Sequence, residues 1–187
     1  LLVDSNVTPT NVPSLATTYR VNTNTGFSIA TFDSPSSGSG SWAHGLNATP
    51  DFVLLKERET SGEWSVYHSS LPSKYFFLDQ QNAGAGTDNW TMTSTRGESD
   101  AGLWTGASTE HVAYCWTEVS GYSKFGSYTG SNTSDGPFVW CGFRPAMVIF
   151  KHIDGSDEWV IADNKRDPSN TVVGQLFPST DAAESRS

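Results

Sequence analysis

Pro50-Asp51-Phe52-Val53-Leu54-Leu55-Lys56 and Pro145-Ala146-Met147-Val148-Ile149-Phe150-Lys151 are one segment written twice, with every position shifted by 95 residues. Each copy holds a run of large apolar residues without period-2 alternation, closed by a lysine. Such a run reads as a short strand buried on both faces. A polar turn follows in both copies, Glu59-Thr60-Ser61-Gly62 and Ile153-Asp154-Gly155-Ser156. The chain then re-enters apolar sequence at Trp64-Ser65-Val66-Tyr67 and Trp159-Val160-Ile161. Strand, polar turn and strand describe a hairpin, so each copy is expected to contain one.

The same shift aligns Gly26-Phe27-Ser28 with Gly121-Tyr122-Ser123 and Trp64 with Trp159, while Gly45-Leu46 meets Gly142-Phe143 at a shift of 97. A loop of different length accounts for that slip, since loops tolerate insertion and strands do not. Tyr75-Phe76-Phe77-Leu78 is a further strand. His111 to Val119 is another, with Val112, Tyr114 and Trp116 on one face and the small Ala113, Cys115 and Thr117 on the other. The reading divides the chain into 1–25, a linker or the end of a preceding repeat, 26–120, a β-rich repeat, and 121–187, a second repeat incomplete at its C-terminal end. The second repeat has no counterpart of the His111 to Val119 strand, and an unpaired sheet edge is a hazard that stable proteins cover.

Composition agrees with an all-β chain: Gly, Ser, Thr, Asn and aromatics are abundant, and helix-favouring Leu, Lys and Glu are scarce. The formal charge of -9 repels phosphate backbones and anionic lipid, so nucleic acid is not expected as a partner; no run approaches the roughly 18 apolar residues needed to cross a bilayer, so membrane insertion is not expected either. Two cysteines, Cys115 and Cys141, are too few for a disulfide scaffold and lack zinc-site spacing; both are expected as buried free thiols. No cofactor is implied.

Thr25-Gly26-Phe27-Ser28-Ile29, His44-Gly45-Leu46, Pro50-Asp51-Phe52, Trp64-Ser65-Val66-Tyr67-His68 and the long run from Ala113 to Gly130 together resemble a repeated module of marine phage and cyanophage virion proteins such as tail fibres. Asp135-Gly136-Pro137-Phe138-Val139 and Gly142-Phe143-Arg144-Pro145-Ala146 extend the resemblance over nearly the whole chain. That module is described as lectin-like or concanavalin-like. The resemblance therefore implies an antiparallel β-sandwich of jelly-roll or concanavalin-like topology, a place on the virion surface, and other virion subunits, in a homo-oligomer, as partners. It brings no catalytic motif. A structural role comes first; a lectin for host-surface polysaccharide is the alternative, and a polysaccharide-degrading enzyme is a third.

Aromatic faces are the tools for stacking on sugar rings. Trp42, Trp90 and Trp104 lie in polar, Gly/Ser/Thr-rich surroundings and are the candidate ligand-binding or subunit-interface residues. Trp64 and Trp159, equivalent in the repeat, are expected in the core. Glycoside hydrolysis needs two acids about 5 to 10 Å apart, and the pairs to consider are Glu110 with Glu118 and Asp157 with Glu158. His44, His68, His111 and His152 share no ligand spacing. Asp154, Asp157 and Asp163, or Asp135 beside Asn132, offer oxygen ligands without a calcium-loop pattern.

Overall fold

The computed structural model describes residues 13–86, 90–100, 102, 104, 107–133, 135–168 and 173–186. All regular structure there is β, with no α-helix among the described residues. In chain order the strands are β1 (Thr17–Asn22), β2 (Phe27–Asp33), β3 (Gly40–Ala43), β4 (Phe52–Glu57), β5 (Ser65–His68), β6 (Lys74–Phe77) and β7 (Ala85–Gly86). They continue with β8 (Trp90–Met92), β9 (Arg96–Ser99), β10 (Glu110–Trp116), β11 (Met147–Lys151), β12 (Trp159–Asp163), β13 (Gly174–Gln175) and β14 (Ser185–Arg186).

The principal sheet runs β1-β2-β10-β4-β5-β6-β7, a second sheet runs β3-β9-β8, and every pairing is antiparallel. The two share one core. Ala30 and Phe32 of β2, Ala113 and Cys115 of β10, Val53 and Leu55 of β4 and Tyr67 of β5 meet Trp42 of β3 and Trp90 of β8 in a single apolar cluster. The arrangement is sandwich-like. The period-2 burial of β2 and β4 follows from it: alternate side chains enter the core and their neighbours lie half-buried on the outer face. Val53, Leu55 and Val66 are fully or almost fully buried, each contributing roughly 1.5–3 kcal/mol.

β10 is central, with β2 on one side and β4 on the other. Its small inward residues, Ala113 and Cys115, are fully buried, and they leave room for the large rings of β3 and β8 above them. The strand stops at Trp116, short of the expected Val119, because Asp51 captures the next turn. Its Oδ2 accepts the Glu118 amide at 2.7 Å, and the Thr117 amide donates sideways to Gly26 O at 2.8 Å.

The β11–β12 hairpin reproduces the β4–β5 hairpin. Phe52 faces His68 and Val53 faces Tyr67; shifted by 95, Met147 faces Asp163 and Val148 faces Ala162. The turn chemistry coincides as well. Lys56 Nζ donates to the carbonyls of Glu57 (2.6 Å) and Thr60 (3.0 Å), and Lys151 Nζ to those of His152 (2.8 Å) and Gly155 (3.2 Å), the same two positions at the shift of 95. The lysine that ends each run therefore ties its own turn. Leu176 then bridges to Ile161 as Phe76 does to Val66, and β14 joins β13 as β7 joins β6. Gly26 and Gly121 share a left-handed backbone (φ 62° and 77°), as do Gly45 and Gly142 (71° and 79°).

The segments related by the shift of 95 differ where partners run out. Residues 27–33 form β2, whereas the described part of 121–146 contains no strand. A shift of 95 maps β1 onto residues 112–117, so the strand that would pair with 122–128 is β10, and both of its edges are already taken by β2 and β4. β11 departs from the doubly buried strand that its sequence suggests: Met147, Val148, Ile149 and Phe150 are 59, 45, 39 and 37% exposed. Before Gly26, Thr17–Asn22 is β1 and pairs with Phe27 to Phe32 of β2; residues 1–12 lie outside the described residues.

Candidate functional site

Cross-strand register builds the candidate site on the outer face of the principal sheet. Trp116 of β10 stands opposite Phe27 of β2 and Phe52 of β4, and Phe52 opposite His68 of β5, so four rings cross four strands in one row. Phe27 stacks on Trp116 at 4.9 Å, Trp116 meets Phe52 at 5.6 Å, and Phe125 stacks on Phe52 at 6.0 Å with only 11° between the planes. One step along β10, Tyr114 carries the ring of Trp64 at 6.1 Å. All of these rings are half-buried. They present one face to a neighbour and keep an edge or face for solvent, the geometry in which aromatics stack on a sugar ring or an apolar partner.

Polar groups rim the row. Asp51 accepts from Ser69 Oγ at 3.0 Å as well as from the Glu118 amide, and Lys124 pairs with Glu118 at 2.9 Å. Burial lowers the pKa of His68, and the nearby charge of Asp51 opposes that, leaving a neutral imidazole at the end of the row. At its other end the face is covered: Trp159 packs with Val66 and Phe76, and its Nε1 donates to Phe77 O at 2.8 Å.

The three tryptophans singled out by their polar neighbours lie on the opposite side of the sheet. Trp42 is 0% exposed and Trp90 5%, while Trp104 packs against the same cluster, half-buried. Trp42 stacks on Phe32 at 5.0 Å and meets Trp90 and Trp104 edge to face at 6.1 and 6.2 Å. Trp42 and Trp90 offer no face to a ligand, so the assignment of glycan stacking or subunit contact to these residues is corrected. Glycine and serine neighbours here make a socket: a Cβ at Gly97 would lie 2.5 Å from Trp42 Cζ2. Trp159 is core as expected, and Trp64 is instead part of the outer aromatic face. The outer row itself was visible in the alternation of β10, which sets Tyr114 and Trp116 on one face.

The remaining candidates are held in local ion pairs and hydrogen bonds. Glu110 pairs with Arg58 and Glu118 with Lys124. They stand at opposite ends of β10, whose six steps from Glu110 to Trp116 span roughly 20 Å at strand rise, too far for paired acids. Asp157 is bound to His152 Nδ1 at 2.5 Å, and Asp163 is held by Arg166 at 3.0 Å. Among the described residues no three His, Cys, Asp or Glu come together as metal ligands. His44 is fully buried between Thr93 O (3.1 Å) and the Leu46 amide (3.2 Å), and burial lowers its pKa. The Glu57 carboxylate is buried on the core side opposite His111, and neither oxygen has a hydrogen-bond partner. An open polar cavity of about 360 Å³, lined by Ser14, Ser39, Gly40, Ser41, Arg96 and Glu98, lies beside β3 and β9.

The two thiols differ in a testable way. Cys115 is buried, and desolvation pushes it up to about 12, whereas Cys141 is half-exposed, contrary to the expectation of two buried thiols. At pH 8 the thiolate fraction of Cys115 is then on the order of 10⁻⁴. A thiol titration of the folded protein is expected to count one fast group, abolished by Cys141→Ser, with the second released only by denaturant.

Comparison with known proteins finds no match among curated proteins and none among solved structures. Residues 4–187 match the family described as domain of unknown function DUF7483, which covers the whole sandwich-like unit and the second hairpin, and the chain belongs to that family.

Proposed function

We propose that this chain is an assembly and adhesion module of a bacteriophage particle, a component of a tail fibre, head decoration or appendage, acting through surface contact and not as an enzyme. In this reading it is an antiparallel β-sandwich of concanavalin-like or jelly-roll topology, built by tandem duplication, exposed on the virion and joined to other virion subunits in a homo-oligomer. The resemblance of its sequence to repeated virion modules supports the particle. The hairpins that share a register and a lysine-tied turn support the duplication.

The observation that carries the contact role is the row Phe27, Trp116, Phe52 and His68, half-buried and continuous across four strands. Aromatic rings dominate the energetics of both subunit interfaces and sugar sites. The acidic surface keeps nucleic acid and anionic membrane from being the partner. A lectin for host-surface polysaccharide is the second reading, favoured by the polar rim of Asp51, Ser69 and His68 beside the rings, which suits hydroxyl recognition.

Imaging the intact particle at side-chain detail tests the assignment. Repeated copies in fixed contact through Phe52 and Trp116 are the expected result. A monomeric chain whose ring row lines an open groove and binds host polysaccharide transfers the function to the lectin reading. A chain that occurs in no particle overturns the virion assignment.

A further inference from the structure

The β11 edge has a counterpart within the same molecule, and that counterpart is filled. β4 carries β5 on one side and β10 on the other; β11 carries β12 on one side and, among the described residues, no strand on the other. The ladder shows which groups are left over. Asn164 N donates to Ala146 O, and Ile161 exchanges both bonds with Leu176 rather than with Ile149. Hydrogen-bonded and non-hydrogen-bonded pairs alternate in an antiparallel ladder. The N–H and C=O groups of Met147, Ile149 and Lys151 therefore point to the open edge, as those of Phe52, Leu54 and Lys56 point to β10. The strand carries neither proline nor charge before Lys151, and its four apolar side chains are 37 to 59% exposed. From Met147 to Phe150 no proline or charge guards against pairing, and pairing is what such an edge favours; beyond Lys151 the Ile153 carbonyl already accepts the Gly84 amide.

We infer that the open edge of β11 is a strand-acceptor site for an extended segment of β10's pattern, docked antiparallel with large side chains alternating with small ones. The register follows from β10 on β4, where Val112 faces Lys56, Tyr114 faces Leu54 and Trp116 faces Phe52. Shifted to the second copy, the docked segment sets its Val112-like residue against Lys151, its Tyr114-like residue against Ile149 and its Trp116-like residue against Met147. Main-chain bonds from the three outward residues supply the affinity, and the alternate large side chains cover apolar surface that is now wet. The inference rests on the duplication reading through the shared register, and on neither the particle nor a glycan.

The test uses the whole chain and a synthetic peptide of residues 109–118 with Cys115→Ser, labelled with a fluorophore. Saturable one-to-one binding by anisotropy is expected. Amide exchange at Ile149 and Lys151 should slow by at least about tenfold, while Val148 and Phe150, already bonded to β12, change little. A peptide N-methylated at its Tyr114 position loses the N–H that meets Ile149 O and should bind at least about tenfold more weakly; this variant leaves the protein untouched. Absence of binding, equal binding of the N-methylated peptide, or protection of Ile149 and Lys151 without peptide as chain concentration rises would each overturn the inference. The last outcome would assign the edge to a second copy. A protein that binds the peptide yet occurs in no particle would refute the virion assignment and leave this site standing.

Discussion

Trp42→Ala is expected to lower the unfolding free energy by roughly 3–5 kcal/mol, the range for removing a large aromatic from a packed core. The ring has no exposed area, stacks on Phe32, and meets Trp90 and Trp104 edge to face, so its removal opens a cavity walled by both sheets. Collapse into that cavity is opposed by Gly97 beneath the ring, which has no side chain to move in. A domain stability of about 5–15 kcal/mol makes the loss a large fraction of the total. Urea denaturation of variant and parent at one pH checks it. A loss below about 1 kcal/mol would mean that Trp42 is a surface ring after all. Ligand or partner binding by the folded fraction should be unchanged, because the outer row lies across the sheet from Trp42.

Gly26→Ala is the second large effect, expected at roughly 2–5 kcal/mol from two causes. A left-handed φ costs a non-glycine residue about 1–2 kcal/mol, and Gly26 sits at φ 62°. The new methyl would also collide with the Thr117 carbonyl and lie 2.8 Å from Val119 Cγ2, so the end of β10 must shift. Overpacking against backbone adds about 1–3 kcal/mol. Gly121→Ala provides the contrast: its φ is 77°, but nothing lies within 4 Å of the added Cβ, so only the backbone part, about 1–2 kcal/mol, is expected. Melting the two variants beside the parent separates strain from collision. Equal losses at both sites would show that Gly26 does not approach Thr117.

How far the sequence could be read depended on what each signal measures. The shift of 95 located both hairpins because register and the tying lysine are local properties, set by residues a few positions apart. β10 was legible from its alternation, and that alternation already held the outer rings Tyr114 and Trp116. Trp42 and Trp90 were misread because small polar neighbours suggest a ring offered to a ligand or subunit, whereas here they form the close-packed wall that encloses the rings. Whether a ring sits in a socket or on a surface depends on β8 and β9, which are distant in sequence from β3. The fate of 121–146 was equally hidden. It resembles the segment that forms β2, but the edge it would need on β10 is taken by β2 and β4, a competition visible only once the sheet order is known.

Hydroxyl-radical footprinting of tryptophan tests the central claim most directly, by comparing the free chain with the chain bound in its particle or to host polysaccharide. The account predicts that Trp64 and Trp116 are modified in the free chain and protected in the bound one, while Trp42 and Trp90 resist modification in both. Modification of Trp42 and Trp90 in the free chain, or an unchanged rate at Trp64 and Trp116 on binding, would contradict it.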